Sequence, residues 1–511
     1  MIKKIKVLGP PGTGKTFTLL NYVRDYIKKG TSLNRIGYFA FTKKAAYNAR
    51  DTFLENEEFK DVSFNLKKKD LKFFQTLHSF SFHVLGLSED RVMQPEHYED
   101  IGRLTNVRVK YTKYDDMESN GYLTCDSEYF QLINKARVKD ILVESEFNTN
   151  EYSRKIDYQI LKHIDVNLQN YKQKNNLIDY TDMINKFVKE SHKSPTFDVI
   201  FIDEAQDLSP IQWKMFDILK TKTNNIFMAG DDDQAIFAWA GADVDRFISE
   251  PADKEFLHES RRVPRAVQKI ANKWISRIPE NKRINKKWEP RKDKEKNIIE
   301  GHQEAIYSLD TVNLFTDNWL ILARTNSKIL KIEKELRDKN LYYETKKGKS
   351  YDVRLYKSIL NWTRWNKGES ITLPECKDIF DYLDLDFNEK SFEKKKLIKI
   401  EDAGFSRGTI WFDIFTEADA NEKLYIRTML SSGEKLSLPA RIKLQTIHVT
   451  KGGEARNVIL ALDNTSRIRN SMANSLEKQY EEHRIFYVGA TRAKQNLYLL
   501  KAKIERYGYQ E

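Results

Sequence analysis

Apolar and polar positions along the chain alternate between two periods. Short apolar runs at residues 5–8 and 36–41 are each followed by an amphipathic stretch, the first ending near Tyr26 and the second near residue 85. Continuous apolar runs separated by helical periodicity predict a β-α-β-α order, the mark of a parallel sheet with crossover helices. A second block of this kind covers 197–262, with apolar runs at 199–202 and 226–229. The stretch 86–178 between them is polar, charged and helix-patterned, without strong strand signals. It reads as an insertion. The second half repeats the plan: a strand-like run at 319–323, a helix over about 328–339, and strand candidates at 442–447 and 458–462, interrupted by a charged, mainly helical stretch at 356–440. The expected organisation is one α/β domain from 1–85 and 179–262 with its insertion at 86–178. A second is expected from 263–355 and 441–511 with its insertion at 356–440. No short-period repeat appears, and the lysine-rich stretch 282–296 reads as a surface loop.

Composition narrows the class. At 511 residues the chain has room for several packed units, and 40% hydrophobic with 32% charged residues describes a soluble globular protein. No apolar run approaches the roughly 18 residues a membrane helix needs. The first residues run as a core strand directly into a glycine loop, leaving no space for a signal peptide, so a cytoplasmic location is expected. Only Cys125 and Cys376 are present, far apart, which supplies no disulfide framework and no zinc or iron–sulfur ligand set. The net charge of +12 favours a polyanionic partner, because lysine and arginine that neutralise phosphates release condensed counterions.

The chemistry is concentrated in two places. Gly9-Pro10-Pro11-Gly12-Thr13-Gly14-Lys15-Thr16 matches G-x-x-x-x-G-K-[ST] between a predicted strand and a predicted helix. Its glycines let backbone N–H groups approach phosphates, Lys15 can reach the β and γ oxygens, and the Thr16 hydroxyl can ligate Mg²⁺. At 199–202 an apolar strand ends in Asp203 and Glu204, where a parallel sheet presents its catalytic groups. Asp203 is expected to hold Mg²⁺ through water, and Glu204 to orient or deprotonate the attacking water. The 188 residues from Lys15 to Asp203 independently support an inserted subdomain.

These residues resemble the UvrD/Rep/PcrA superfamily 1A helicases, and the motifs recur in the family's order. Phe39-Ala40-Phe41-Thr42-Lys43-Lys44-Ala45-Ala46 looks like motif Ia, and Thr76-Leu77-His78-Ser79-Phe80 like motif Ib. Asp203-Glu204-Ala205-Gln206-Asp207 resembles motif II. The stretch 230–242, which begins Gly230-Asp231-Asp232-Asp233-Gln234, resembles motif III. Residues 257–264 resemble motif IV, Gln445-Thr446-Ile447-His448-Val449-Thr450-Lys451-Gly452-Gly453-Glu454 motif V, and 481–493 motif VI. The resemblance implies two RecA-like P-loop motor domains, each with a helical insertion, that use ATP and Mg²⁺. It also implies roles. Gln234 would sense the γ-phosphate, while Arg262 and Arg492 would approach from the two domains to neutralise charge on the transferring phosphoryl group. Glu454 would bind the ribose hydroxyl. Phe41, Phe237 and Trp239 lie where family members stack aromatics on single-stranded bases, with Thr42, His78 and Thr446 as phosphate or sugar contacts.

The chain departs from the family pattern in places. Only eight residues precede Gly9 and none is the adenine-reading glutamine; motif IV carries Ser260-Arg261-Arg262 where Asn-Tyr-Arg is usual. Arg261 would then stack on the base through its guanidinium plane, so relaxed nucleotide selectivity is expected. The second insertion of about 85 residues is small, which suggests a compact motor of the kind a virus or plasmid carries; some 19 residues follow Arg492, and a monomer is expected.

The leading functional reading is an ATP-dependent DNA helicase acting on single strands and single-strand/duplex junctions, with 3′ to 5′ direction implied by resemblance alone. A translocase that strips proteins from single strands would carry the same motor residues. A nucleotide-gated clamp that binds without moving is the third reading, and RNA as the track stays open.

Overall fold

The computed structural model describes residues 3–111, 125–149, 156–385, 396–451 and 453–510. The chain divides into two compact units, the first comprising residues 1–300 with 471–491 and the second 301–470 with 492–511. The division expected from sequence fell at 262/263 instead and left 471–491 in the second domain. The added segment contains the helix Arg265–Ile275, which packs with the helix Leu476–Ala490 inside the first unit.

The first unit is built on strands β1 (Lys3–Leu8), β2 (Ile36–Ala40), β3 (Phe74–Gln75), β4 (Val199–Asp203), β5 (Asn225–Gly230) and β6 (Asp253–Phe256). They form one parallel sheet in the order β3-β2-β4-β5-β1-β6. Strand β4 is apolar from Val199 to Ile202 because both faces are covered. Val199 and Phe201 join Leu19, Leu20, Phe53 and Phe227 on one side, while Ile200 and Ile202 join Phe80, Phe187, Phe216 and Met228 on the other. Each such fully buried side chain contributes roughly 1.5–3 kcal/mol. Strand β6 has a different logic. Among the described residues it is an edge strand paired only with β1, its residues are partly exposed, and Asp-Lys-Glu-Phe carries no apolar run.

Between β3 and β4 the chain forms several helices. Those at Leu77–Val84 and Tyr180–Lys189 pack onto the sheet's core. Pro95–Leu104, Glu128–Val138 and Tyr158–Lys174 instead gather a separate core around Tyr98, Ile101, Phe130, Ile133, Leu161 and Ile164.

The second unit contains β7 (His302–Ile306), β8 (Trp319–Ala323), β9 (Tyr343–Thr345), β10 (Gly348–Lys349), β11 (Ile442–Thr446), β12 (Ala455–Ala461) and β13 (Ala493–Leu500), ordered β10-β9-β11-β8-β12-β13-β7. Every pairing between these strands is parallel except the β9–β10 hairpin. Between β10 and β11 the helices Val353–Asn366, Leu373–Phe380 and Ala420–Ser431 enclose a core that includes Trp362, Trp365, Ile379, Phe415 and Ile426. The chain is therefore α/β, with two parallel-sheet RecA-like domains interrupted by helical segments. Among the described residues no helix is long and apolar enough to cross a membrane.

Candidate nucleotide site

Three neighbouring strands of the first sheet end at the same level. Leu8 of β1 pairs with Gly230 of β5, and β5 in turn pairs with β4. The loops that follow, Gly9–Thr16, Asp203–Glu204 and Asp231–Gln234, consequently emerge together at the carboxyl edge, where open α/β sheets bind ligands.

Within the first loop Gly12 adopts φ +77, and a Cβ there would lie 2.5 Å from Arg262 Cβ. Only glycine permits both the turn and this approach. Gly14, also at positive φ, precedes the helix Lys15–Lys28, whose N-terminal N–H groups face the loop. Thr13 Oγ1 donates to the Pro10 carbonyl at 2.9 Å, and Lys15 Nζ donates to the Gly9 carbonyl at 2.8 Å. The motif IV stretch is fastened to the loop. Arg261 N donates to Gly12 O at 2.8 Å, and the buried Ser260 hydroxyl donates to Pro11 O at 2.7 Å. Arg262 thus sits beside the glycine loop in the same unit, while the Arg261 guanidinium lies 5.8 Å from the centre of the Phe17 ring.

Asp203 is buried at the end of β4. Its Oδ2 accepts from Thr16 Oγ1 at 2.7 Å and from Tyr38 Oη at 2.9 Å. Burial, then the adjacent Glu204 charge, push its carboxyl above the ordinary range, against the pull of these two donors and Lys15. Glu204 adopts φ 56, a left-handed conformation uncommon for a side chain with a Cβ. Its N–H is held by Asp203 Oδ1 at 3.0 Å. Gln206 then ties the second loop to the third. Its Nε2 donates to Glu204 Oε2 at 2.6 Å and its Oε1 accepts from Asp231 N at 3.0 Å. Gln234 Nε2 donates to Asp231 Oδ2 at 2.7 Å. A continuous chain of hydrogen bonds joins Glu204 to Gln234.

This donor set fits a nucleotide with its divalent ion. The loop leaves room only a glycine backbone allows, Lys15 supplies a cation, and the Thr16 hydroxyl and Asp203 carboxylate lie together as oxygen ligands of the kind Mg²⁺ takes.

Thr446, Glu454 and Arg492 lie in the second unit. Thr446 ends β11, Glu454 Oε1 accepts from Lys494 Nζ at 2.8 Å, and the buried Arg492 reaches the Gly453 carbonyl at 3.4 Å. Gly452, named with this motif, lies outside the described residues.

The proposed nucleic-acid contacts separate by exposure. Trp239 is 44% exposed, whereas Phe41 and Phe237 are 3% and 4% exposed and stack on each other with ring centres 5.4 Å apart. Thr42 caps the helix Lys43–Glu55 by accepting from Ala45 N. His78 is 3% exposed and packs edge-on against Tyr180, so its ring does not reach the surface; burial lowers its pKa to about 3. Sequence reading passed over Tyr38, Gln206 and Ser260. Tyr38 reads as one more apolar strand residue, and the other two stand inside recognised motifs without a signal for their partners.

Comparison with known proteins agrees with this geometry. Residues 2–256 match the UvrD/REP helicase N-terminal domain and 412–503 the UvrD-like helicase C-terminal domain. A probable DNA helicase II homolog of Mycoplasma pneumoniae is 26% identical over 297 residues, covering 52% of this chain and 39% of that protein. A second, from Mycoplasma capricolum subsp. capricolum, is 23% identical over 306 residues, 55% of this chain and 40% of its own. The ATP-dependent DNA helicase PcrA of Staphylococcus aureus is 22% identical over 443 residues, 81% of this chain and 58% of that protein. The chain thus spans between 39% and 58% of the length of these relatives. With the glycine loop, the acid pair and the Gln234 loop at one sheet edge, and both family domains matched in order, the chain belongs to the UvrD/Rep helicase family.

Proposed function

We propose that the protein is an ATP-dependent DNA helicase that translocates on single-stranded DNA, with 3′ to 5′ direction, and unwinds duplex at junctions. The observation that carries this reading is the hydrogen-bonded chain from Glu204 through Gln206 and Asp231 to Gln234, beside the Lys15 loop. A protein that only binds nucleotide has no need of a base wired to a second polar sensor.

In this reading the glycine loop and Lys15 bind the phosphates, and Thr16 with Asp203 would hold Mg²⁺. The bound ion would neutralise charge on the phosphate oxygens. Glu204 orients a water and takes its proton, Gln234 contacts the terminal phosphate, and Arg262 and Arg492 are the cations that offset the developing charge. Trp239 supplies a stacking face that accepts any base, as a moving motor requires. The formal charge of +12 suits a phosphate backbone.

The test is steady-state ATP hydrolysis with and without single-stranded DNA, for the native chain and for Glu204→Gln. Strong stimulation by DNA, reduced about 10²- to 10⁴-fold in the variant, is expected. DNA-independent hydrolysis, or none, would favour a nucleotide-gated clamp. A strand-displacement assay then separates unwinding from translocation alone.

A further inference from the structure

The lysine-rich stretch 282–296 reads from sequence as a solvated loop, but Lys286 within it is a buried charge whose side chain is 2% exposed. Its Nζ lies 3.0 Å from Asp231 Oδ1 and 3.2 Å from Asp233 Oδ2, and it also contacts Asp232 Oδ1. Arg283 grips Asp233 with Nε at 2.9 Å and Nη2 at 2.7 Å, and Ile284 N donates to Asp232 Oδ2 at 2.8 Å. The charge of Arg484 also bears on Asp233. Three carboxylates thus meet two cations, Lys286 and Arg283, in a largely buried cluster.

A buried ion cluster of this kind contributes little stability relative to apolar side chains of the same volume. It does dictate orientation. Lys286 meets Asp231 at Oδ1, which leaves Oδ2 for the Gln234 amide, while the Asp231 N–H holds Gln206 and, through it, Glu204. Three consecutive carboxylates without this ammonium would repel one another, and the turn Asp232–Gln234 would lose its fixed form.

We propose that Lys286 is a positioning residue for ATP hydrolysis, fixing the Asp231 carboxylate so that Gln234 and Glu204 are held in one arrangement. The inference rests on the reading that Glu204 and Gln234 serve hydrolysis.

The experiment compares the native chain with Lys286→Met and with the double variant Asp232→Asn/Lys286→Met, in which one charge of each sign is removed. DNA-stimulated ATPase kinetics and thermal melting are measured for each. Lys286→Met should lower kcat by about 10²-fold, as small misplacements of catalytic groups do, with KM for ATP little changed because the Lys15 loop is untouched. The double variant should regain much of the melting temperature but not the turnover. Turnover that returns with stability, or a folded Lys286→Met with native kcat, would overturn the inference. If the native chain itself shows no DNA-stimulated hydrolysis, the functional reading beneath it fails instead.

Discussion

The Tyr38 hydroxyl donates to Asp203 Oδ2 at 2.9 Å from the adjacent strand, where Ala40 is the register partner of Asp203. It shares that oxygen with Thr16, so the carboxylate at the end of β4 is held from both the strand side and the loop side. Hydrogen bonds to charged groups typically contribute about 1.5–3 kcal/mol. Tyr38→Phe should therefore lower stability by about 2 kcal/mol in urea unfolding. It should also raise severalfold the Mg²⁺ concentration needed for half-maximal binding of a fluorescent ATP analogue, since Asp203 is freer to rotate. Unchanged Mg²⁺ dependence in a folded variant would show that Thr16 alone suffices.

Exposure separates the three aromatics assigned to the DNA track. Trp239→Ala should weaken binding of a labelled oligothymidylate by about 1–3 kcal/mol, read by fluorescence anisotropy, with little change in melting temperature. Phe237→Ala opens a cavity against Phe41 and should cost about 3–5 kcal/mol of stability. Equal losses of DNA affinity in both, at native stability, would mean that the Phe41–Phe237 pair also meets DNA directly.

Arg261 replaces the aromatic usual in its motif and is already directed over the Phe17 ring. A guanidinium plane stacks on either purine, so ATP and GTP should be hydrolysed at comparable rates, and Arg261→Ala should raise KM for both. A strict preference for ATP would reject this account of the site.

The buried His78 predicts a pH dependence. Burial lowers its pKa from the ordinary 6.5 to about 3, with Asp179 pulling upward and Lys43 downward. Between those values the unfolded chain binds a proton that the folded chain refuses. Stability from this group is full above pH 6.5 and falls as pH drops below it, by about 1.4 kcal/mol per pH unit. His448, also lowered to about 3, and His483, lowered to about 4, act with the same sign. His78→Phe removes one titrating group, and its Nδ1 has no hydrogen-bond partner to lose. The variant should show a slope of unfolding free energy between pH 6.5 and 5 reduced by about that amount, with native DNA affinity. A drop in DNA affinity would instead support His78 as a contact.

The sequence by itself determined the parallel α/β class, the interruption of each sheet by helices, and the positions of the glycine loop with Lys15 and of the Asp203–Glu204 pair. Those features are local: apolar runs of strand length, glycine at fixed offsets, and acids at a strand end are set by neighbours within a few residues. Strands β3, β6, β7, β9, β10 and β13 escaped: β3 and β10 have two residues and β9 three, β6 and β7 lie at sheet edges, and β13 opens on the polar run Lys494–Asn496. The tertiary structure alone decided which polar side chains are buried. Tyr38, Gln206 and Lys286 look like ordinary strand, motif and surface residues, and become parts of the site only when β4, β5 and the 283–286 segment meet. The same holds for His78, Phe41 and Phe237, whose burial depends on packing from elements distant in the chain. Burial of a charge or an amide is affordable only where its partners converge, and that convergence is a property of the fold.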